Sequence, residues 1–253
     1  MDVQGQAALI SGGGSGLGAA TAEALTRAGA RVCVLDLDGD AARRVAAPLG
    51  GLGLACDVAD GAQVEAALAE AQRAHGPARI AVNCAGTAAP GRILGRDGPM
   101  PQEVFARVIA VNLIGNFNLL RLAAAGMQDL SPLPTAERGI IVNTASIAAF
   151  DGQVGQVAYA ASKGAIAAMT LPAARELARL GIRVVTIAPG TFATPMLAGL
   201  PEATRTALAA SIPFPSRLGD PGEFARLVLH IIDNVMLNGE VIRLDGALRM
   251  PPK

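Results

Sequence analysis

The 253-residue chain is short of charge: Asp, Glu, Lys and Arg make up 17% of it, against 51% hydrophobic residues. Such a composition excludes disorder and requires most elements to be buried on more than one side, as in a sheet covered by helices on both faces. Formal net charge is zero, Trp is absent, and no basic stripe or aromatic–basic interleaving occurs. These absences argue against nucleic acid or a charged membrane surface as the main partner. The three cysteines, Cys33, Cys56 and Cys84, are odd in number, far apart and without CxxC spacing, so they read as small core residues in a reducing compartment. No metal-ligand cluster appears, and His75 and His230 are isolated. The N-terminal MDVQGQAALI lacks the basic region and long apolar core of a signal peptide. Apolar stretches are expected to be broken before the ~18 residues a spanning helix needs. With no repeat and no linker-like segment, the reading is one soluble, cytoplasmic domain over residues 1–253.

What is present begins with AALIS, residues 7–11, a short apolar strand running directly into GGGSGLG and then into the Ala-rich, helically spaced AATAEALTRAGA. Such a turn lets bare backbone approach a pyrophosphate, and the helix N-terminus supplies N–H groups and partial positive charge to hold it. The candidate contacts are Gly12, Gly16 and Gly18, spaced GxxxGxG, with Ser15 and Leu17 between them. Glycine-rich turns also close ordinary helices, so context decides. RVCVLDLD follows as a buried strand whose apolar run stops at Asp36, eighteen residues beyond Gly18, about where an acidic residue binds adenosine ribose hydroxyls. Asp36 argues for NAD over NADP, because it would repel a 2′-phosphate and no Arg or Lys stands in the turn or just after it.

Strand and helix patterns then alternate: a helix at 40–48, the strand GLGLACDV ending at Asp57 and Val58, a helix at 60–75, and the strand RIAVNCAG ending at Asn83, Ala85 and Gly86. The alternation predicts a doubly wound parallel α/β sheet with its site at the strand C-terminal ends. Asp57, Val58, Asn83, Ala85 and Gly86 are therefore candidate cofactor contacts, although each also fits ordinary strand-end turn chemistry. Residues 87–101 are too long for a minimal connection and read as an inserted functional loop. A helix over 102–127 carries Asn112 in an apolar surround, where a buried amide needs hydrogen-bond partners. GIIVNTAS is a further buried strand ending at Ser146, and IRVVTIAPG is the sixth strand, followed by a Pro-rich apolar segment, 190–217, that reads as a substrate lid.

Between those strands lies YAASK, on a helix spanning about 157–180, where four residues of helix bring Tyr159 and Lys163 onto one face. A free tyrosine has a pKa of about 10, and a nearby fixed positive charge favours the phenolate. Tyr and Lys at this spacing also occur on ordinary helices. A lysine in this role needs its own charge, so deep unpaired burial is not expected.

With SGGGSGLG, Asp36, NCAG, Asn112, Ser146, YAASK and APG in register, the chain resembles the short-chain dehydrogenase/reductase family over essentially its whole length. The resemblance implies a single Rossmann domain with seven parallel strands and a catalytic set of Asn112, Ser146, Tyr159 and Lys163. It further implies that Lys163 binds the nicotinamide ribose, that Asn112 holds a water linking Lys163 to solvent, and that the chain forms a homotetramer built on its long helices. NCAG departs from the more usual NNAG at Cys84, with little consequence expected. The stretches TASIAAFDGQVGQVAYAASKGAIAAMTLPAARELA, IPFPSRLGDPGEFARLV and LNGEVIRLDGALRM resemble more narrowly the branch of this family acting on 3-hydroxyacyl-CoA. A hydroxysteroid or free 3-hydroxy acid is the alternative substrate, and an NAD-sensing or scaffold module the non-enzymatic alternative.

On this reading Tyr159 manages the proton while hydride passes to or from NAD, and Ser146 hydrogen-bonds the substrate oxygen. Lys163 would keep Tyr159 acidic through its charge. Pro189, Gly190, Thr191, Phe192 and Thr194, after the sixth strand, would orient the nicotinamide. Gln153 and Gln156 would face the substrate, and Met196, Leu197, Leu200, Leu208, Ile212 and Phe214 would form an apolar lid wall. Arg92 and Arg96 would meet the phosphates of coenzyme A.

Overall fold

The structure, a computed structural model, describes every residue except Asp97, Leu200 and Lys253, and all side chains but those of Met196 and Ala198 as well. Seven strands form the main sheet: β1 (Ala7–Ser11), β2 (Arg31–Asp36), β3 (Leu52–Ala55), β4 (Ala78–Asn83), β5 (Gly139–Thr144), β6 (Ile182–Pro189) and β7 (Val241–Leu244). All neighbours pair in parallel, in the order β3-β2-β1-β4-β5-β6-β7. The order reverses between β1 and β4, which opens a crevice at their carboxyl ends, the place where ligands bind in doubly wound sheets.

Strand alternation distributes the core between two faces. Ala8 and Ile10, with Val32, Val34, Ile80, Val82, Ile140, Val142, Val185 and Ile187, pack on one side. That side is covered by α1 (Gly16–Arg27), α2 (Gly39–Ala46) and α9 (Pro221–Asp233), through residues such as Leu25, Ala42, Phe224 and Ile231. Leu9, Cys33, Leu35, Ala81, Ile141 and Val184 point the other way, onto α3 (Gly61–His75), α5 (Gly115–Met127) and α6 (Val157–Ala178). Every residue of β5 and β6 is buried, as their near-continuous apolar sequences require. Cys33 and Cys56 are buried core thiols, pushed up to about 12 and about 11 by burial and therefore kept protonated and inert.

The expected single helix over 102–127 is instead three pieces: α4 (Gln102–Ile109), a π-helical stretch (Ala110–Ile114) and α5. The wide turn is centred on Asn112, and such π-bulges gather at functional sites. The combined span Gln102–Met127 is long and apolar enough to cross a membrane, contrary to expectation. Half of its most apolar window is buried in this fold, which is what a core helix packed against a sheet also produces. After β6 come the short helices α7 (Pro195–Ala198) and α8 (Glu202–Ala210), and the inserted loop carries a small antiparallel hairpin pairing Leu94–Gly95 with Gly98–Pro99.

Candidate active site

The glycine turn is shaped by close backbone approach. Gly12 has φ 63°, and a Cβ there would lie 2.5 Å from the Ala85 nitrogen; a Cβ on Gly18 would collide with the Gly12 carbonyl oxygen. Gly16, at φ 52°, sits against Thr194, whose Cγ2 would be 3.3 Å from an added Cβ. The turn therefore touches both the end of β4 and the segment after β6, and no side chain caps the N-terminus of α1 at Ser15. Its first-turn N–H groups are left for an anion. Asp36 ends β2 with its carboxylate clasped by backbone, Oδ2 accepting from Gly14 N at 2.9 Å and Oδ1 from Asp38 N at 3.0 Å. Asp36 thus braces the turn, and its carboxylate has further lone pairs for ribose hydroxyls.

Not every expected cofactor contact points into the crevice. Asn83 is turned inward: it accepts from Ser11 Oγ at 3.3 Å and donates to Asn143 Oδ1 at 3.0 Å, only 3% exposed. Val58 is buried against Gly115, and Phe192 is buried in the core against Gly219. Cofactor contact at these three positions would fall to the backbone, because apolar or well hydrogen-bonded side chains gain more from the interior. Asp57 spends one carboxylate oxygen on Ala59 N at 2.9 Å, an Asx turn. Gly86 does approach the site, with Asn112 Oδ1 and Lys163 Nζ at 3.4 and 3.5 Å from where its Cβ would be. Gly190 lies against Asp245, 2.9 Å from Cβ to Cα, and Pro189 and Thr191 flank it.

The end of β5 assembles the reactive groups. The Thr144 carbonyl accepts a hydrogen bond from Lys163 Nζ at 2.8 Å, and Ser146, two residues on, is 8% exposed with its Oγ accepting from Ala148 N at 3.1 Å. Lys163 Nζ lies 5.7 Å from the centre of the half-buried Tyr159 ring. Burial raises the Tyr159 hydroxyl above its ordinary value, opposed by the neighbouring Ser146 hydroxyl. Burial likewise pulls Lys163 down to about 8. The expectation that Lys163 avoids deep burial is thus corrected. Lys163 is deeply buried with a carbonyl rather than a counter-charge as its partner, and desolvation is the largest influence on the Tyr159 hydroxyl.

Three hydrogen bonds from the protein hold Asn112. Its Oδ1 accepts from Thr87 N at 2.8 Å, and its Nδ2 donates to Thr87 O at 3.0 Å and to Ser162 Oγ at 2.9 Å; Ser162 in turn donates to the Tyr159 carbonyl at 2.8 Å. The side chain thereby joins the loop after β4 to the helix bearing Tyr159. Sequence reasoning overlooked Ser162 and Thr87. Ser162 could have been noticed as the one polar residue inside YAASK, but the Thr144 carbonyl leaves no mark in a sequence.

A cleft of about 520 Å³ opens between the inserted loop and the segment before α6, lined by Arg92, Ile93, Gln153, Val154 and Gln156 among others. Gly91 N donates to Gly155 O at 2.8 Å across it. Gln156 has a buried Oε1 with no partner and donates through Nε2 to Gln153 Oε1 at 3.3 Å. Leu197, half-buried on α7, does not line this cleft. The expected lid wall is also dispersed: Ile212 packs with Ile147 and Leu248, Leu208 is half-buried, and Phe214 is 83% exposed. Met196 and Leu200 fall outside what is described. Among the described residues no group of acidic, His and Cys side chains could hold a metal.

Residues 6–205 match the short chain dehydrogenase family. The chain belongs to that family. It is 54% identical to the 3-hydroxyacyl-CoA dehydrogenase type-2 of Bos taurus, covering 99% of this chain and 97% of that one. The Homo sapiens protein of the same description is 52% identical over the same shares. The crystal structure of 3-hydroxyacyl-CoA dehydrogenase type-2 from Mycobacterium avium superposes with a TM-score of 0.94 at 42% identity, covering 98% of each chain. As a short-chain dehydrogenase the chain is an oxidoreductase that uses a nicotinamide cofactor on a small-molecule substrate. The residues fit such a group: a glycine turn too tightly packed to carry side chains, the uncapped α1 N-terminus and an Asp36 carboxylate bonded to that turn supply the backbone donors and the ribose acceptor it needs.

Proposed function

We propose that this protein interconverts 3-hydroxyacyl-CoA and 3-oxoacyl-CoA with NAD as cofactor. The observation that carries the reading is the convergence of Ser146, Tyr159 and Lys163 at one strand end beside the glycine turn, in a chain 51% to 54% identical to proteins described as 3-hydroxyacyl-CoA dehydrogenase type-2. NAD, when bound, supplies hydride acceptance or donation. Gly12, Gly16 and Gly18 would hold its pyrophosphate, Asp36 its adenosine ribose, Lys163 its nicotinamide ribose and Thr194 its amide end. The preference over NADP is supported by the Asp36 charge and by the arginines of α2 being engaged: Arg43 pairs with Asp40 at 2.6 Å and Arg44 with Asp38 at 3.7 Å.

Tyr159 is the proton-transfer group. As a phenol it donates to the carbonyl oxygen in reduction, and as a phenolate it accepts the hydroxyl proton in oxidation. Lys163, with a pKa near 8, still carries its charge in most molecules at neutral pH and favours that phenolate. Ser146 donates a hydrogen bond to the substrate oxygen as charge gathers there. Asn112 and Ser162 fix the backbone on which Tyr159 stands. Gln153 and Gln156 face the acyl portion from the cleft, and the exposed Arg92 and Arg96 suit the phosphates of coenzyme A.

Half-exposed apolar side chains on the outer faces of the long helices, Phe105, Ile114 and Phe117 before and along α5 and Leu171 on α6, support a homotetramer assembled through them, and we propose the cytoplasm as its location. The activity is tested by following NADH absorbance with acetoacetyl-CoA. Oxidation of NADH by the wild type and its loss in Tyr159→Phe are expected; equal rates in the two proteins would remove Tyr159 from the mechanism. A monomer by light scattering would remove the assembly.

A further inference from the structure

The loop between Ser146 and Tyr159 is gripped from behind by the end of the chain. Arg243, on β7, meets Asp151 with both ends of its guanidinium, Nη2 to Oδ2 at 2.5 Å and Nη1 to Oδ1 at 3.4 Å. Its Nε donates to Asp245 Oδ2 at 2.7 Å, Nη2 also donates to the Leu248 carbonyl at 2.9 Å, and the guanidinium lies 5.4 Å from the Phe150 ring centre. Asp245 holds the following turn by accepting from Ala247 N at 3.0 Å and by pairing with Arg249 at 3.2 Å. The chain beyond that turn then crosses the loop: Gln153 Nε2 donates to the Pro251 carbonyl at 3.0 Å and Val154 N to the Pro252 carbonyl at 3.1 Å.

Gln153 has its amide nitrogen fixed by Pro251, which leaves its Oε1 aimed at Gln156 Nε2, and both glutamines line the cleft. Arg243 makes four such hydrogen bonds, two of them to one carboxylate, which the planar five-donor guanidinium allows and the three N–H donors of an ammonium do not. The arginine and Asp151 side chains are 22% and 16% exposed, so the pair is partly shielded from solvent.

We infer that Arg243 is a positioning residue. By gripping Asp151 it seats residues 245–252 as a strap across the loop, and the strap sets Gln153 and Gln156 at the substrate cleft. This role in substrate selection rests on the function proposed above; the strap itself does not.

Asp151→Asn, nearly isosteric, and Arg243→Gln test it by hydrogen exchange and by kinetics. In both variants the Val154 amide should exchange at least about tenfold faster while sheet amides keep their protection. With acetoacetyl-CoA the KM should rise about tenfold with kcat within about twofold, and the NADH dissociation constant should stay the same. Arg243→Lys should fail to restore either readout. Val154 exchange at the wild-type rate in both variants would overturn the strap, and a fall in kcat at constant KM would overturn its role in seating substrate. If wild-type protein oxidises no NADH with acetoacetyl-CoA, the proposed function fails while the exchange measurement still decides the strap.

Discussion

Lys163 Nζ stands 2.8 Å from the Thr144 carbonyl, its one hydrogen-bond partner among the described residues, although the lysine is 4% exposed. Burial with a single neutral partner is expensive for a cation, and the lysine pays with its proton affinity, falling to about 8. The group that chemistry needs is thus one the ligand-free fold is strained to keep.

Lys163→Met should therefore abolish turnover and yet stabilise the ligand-free protein. The folded pKa lies below the ordinary lysine value, so the unfolded chain binds more protons between about pH 8 and 10.5 and wild-type stability gains over that window. The gain is complete above the unfolded value and is lost as pH falls through about 8. At pH 7 the variant should be more stable by on the order of 3 kcal/mol, and the difference should close by alkaline pH. Thermal unfolding of both proteins across that range, without cofactor, measures it; a parallel pair of curves would refute the assigned burial cost.

The chain has one tyrosine and no tryptophan, so the tyrosinate absorbance band reports Tyr159 alone. In ligand-free protein its midpoint should lie above 10, because burial raises it. Ser146→Ala should move the midpoint higher still, since the serine hydroxyl is the influence that lowers it. A midpoint below the ordinary tyrosine value would show that the Lys163 charge, rather than desolvation, governs the phenol.

Asp36→Ala should cut the NAD to NADP preference by at least about tenfold. Because Asp36 also clasps Gly14 and Asp38, the variant should gain NADP use without reaching the wild-type KM for NAD. An unchanged ratio in steady-state kinetics would leave Asp36 as a brace of the turn alone.

Ser162→Ala should cost about 1–3 kcal/mol, the penalty for leaving one Asn112 N–H buried without a partner. Asn112→Ala should cost more, since it also strands the Thr87 amide and carbonyl. Urea unfolding gives both values, and in each variant kcat should fall as Tyr159 loses its support. Wild-type stability in Ser162→Ala would mean that another group satisfies Asn112.

Much of the architecture is legible in the sequence. The glycine turn, the acidic end of β2 and the buried apolar strands follow from local rules: backbone sterics at glycine, a period of two in strands, and carboxylates placed where runs of valine and leucine stop. The Tyr159 and Lys163 pair is legible for the same reason, since one helical turn brings them together whatever else the chain does.

Tertiary structure alone decided how those residues behave. Asn83, Val58 and Phe192 stand at the expected strand ends, but neighbours distant in sequence turned their side chains inward. The π-helical turn at Asn112 depends on Thr87 and Ser162, and the strap depends on Arg243 finding Asp151, 92 residues away. Sequence by itself determined which chemical groups this protein owns and where each helix and strand presents them. Which are charged, buried or joined was decided only by the packed fold, because desolvation and hydrogen-bond partnership are properties of surroundings that no stretch of sequence contains.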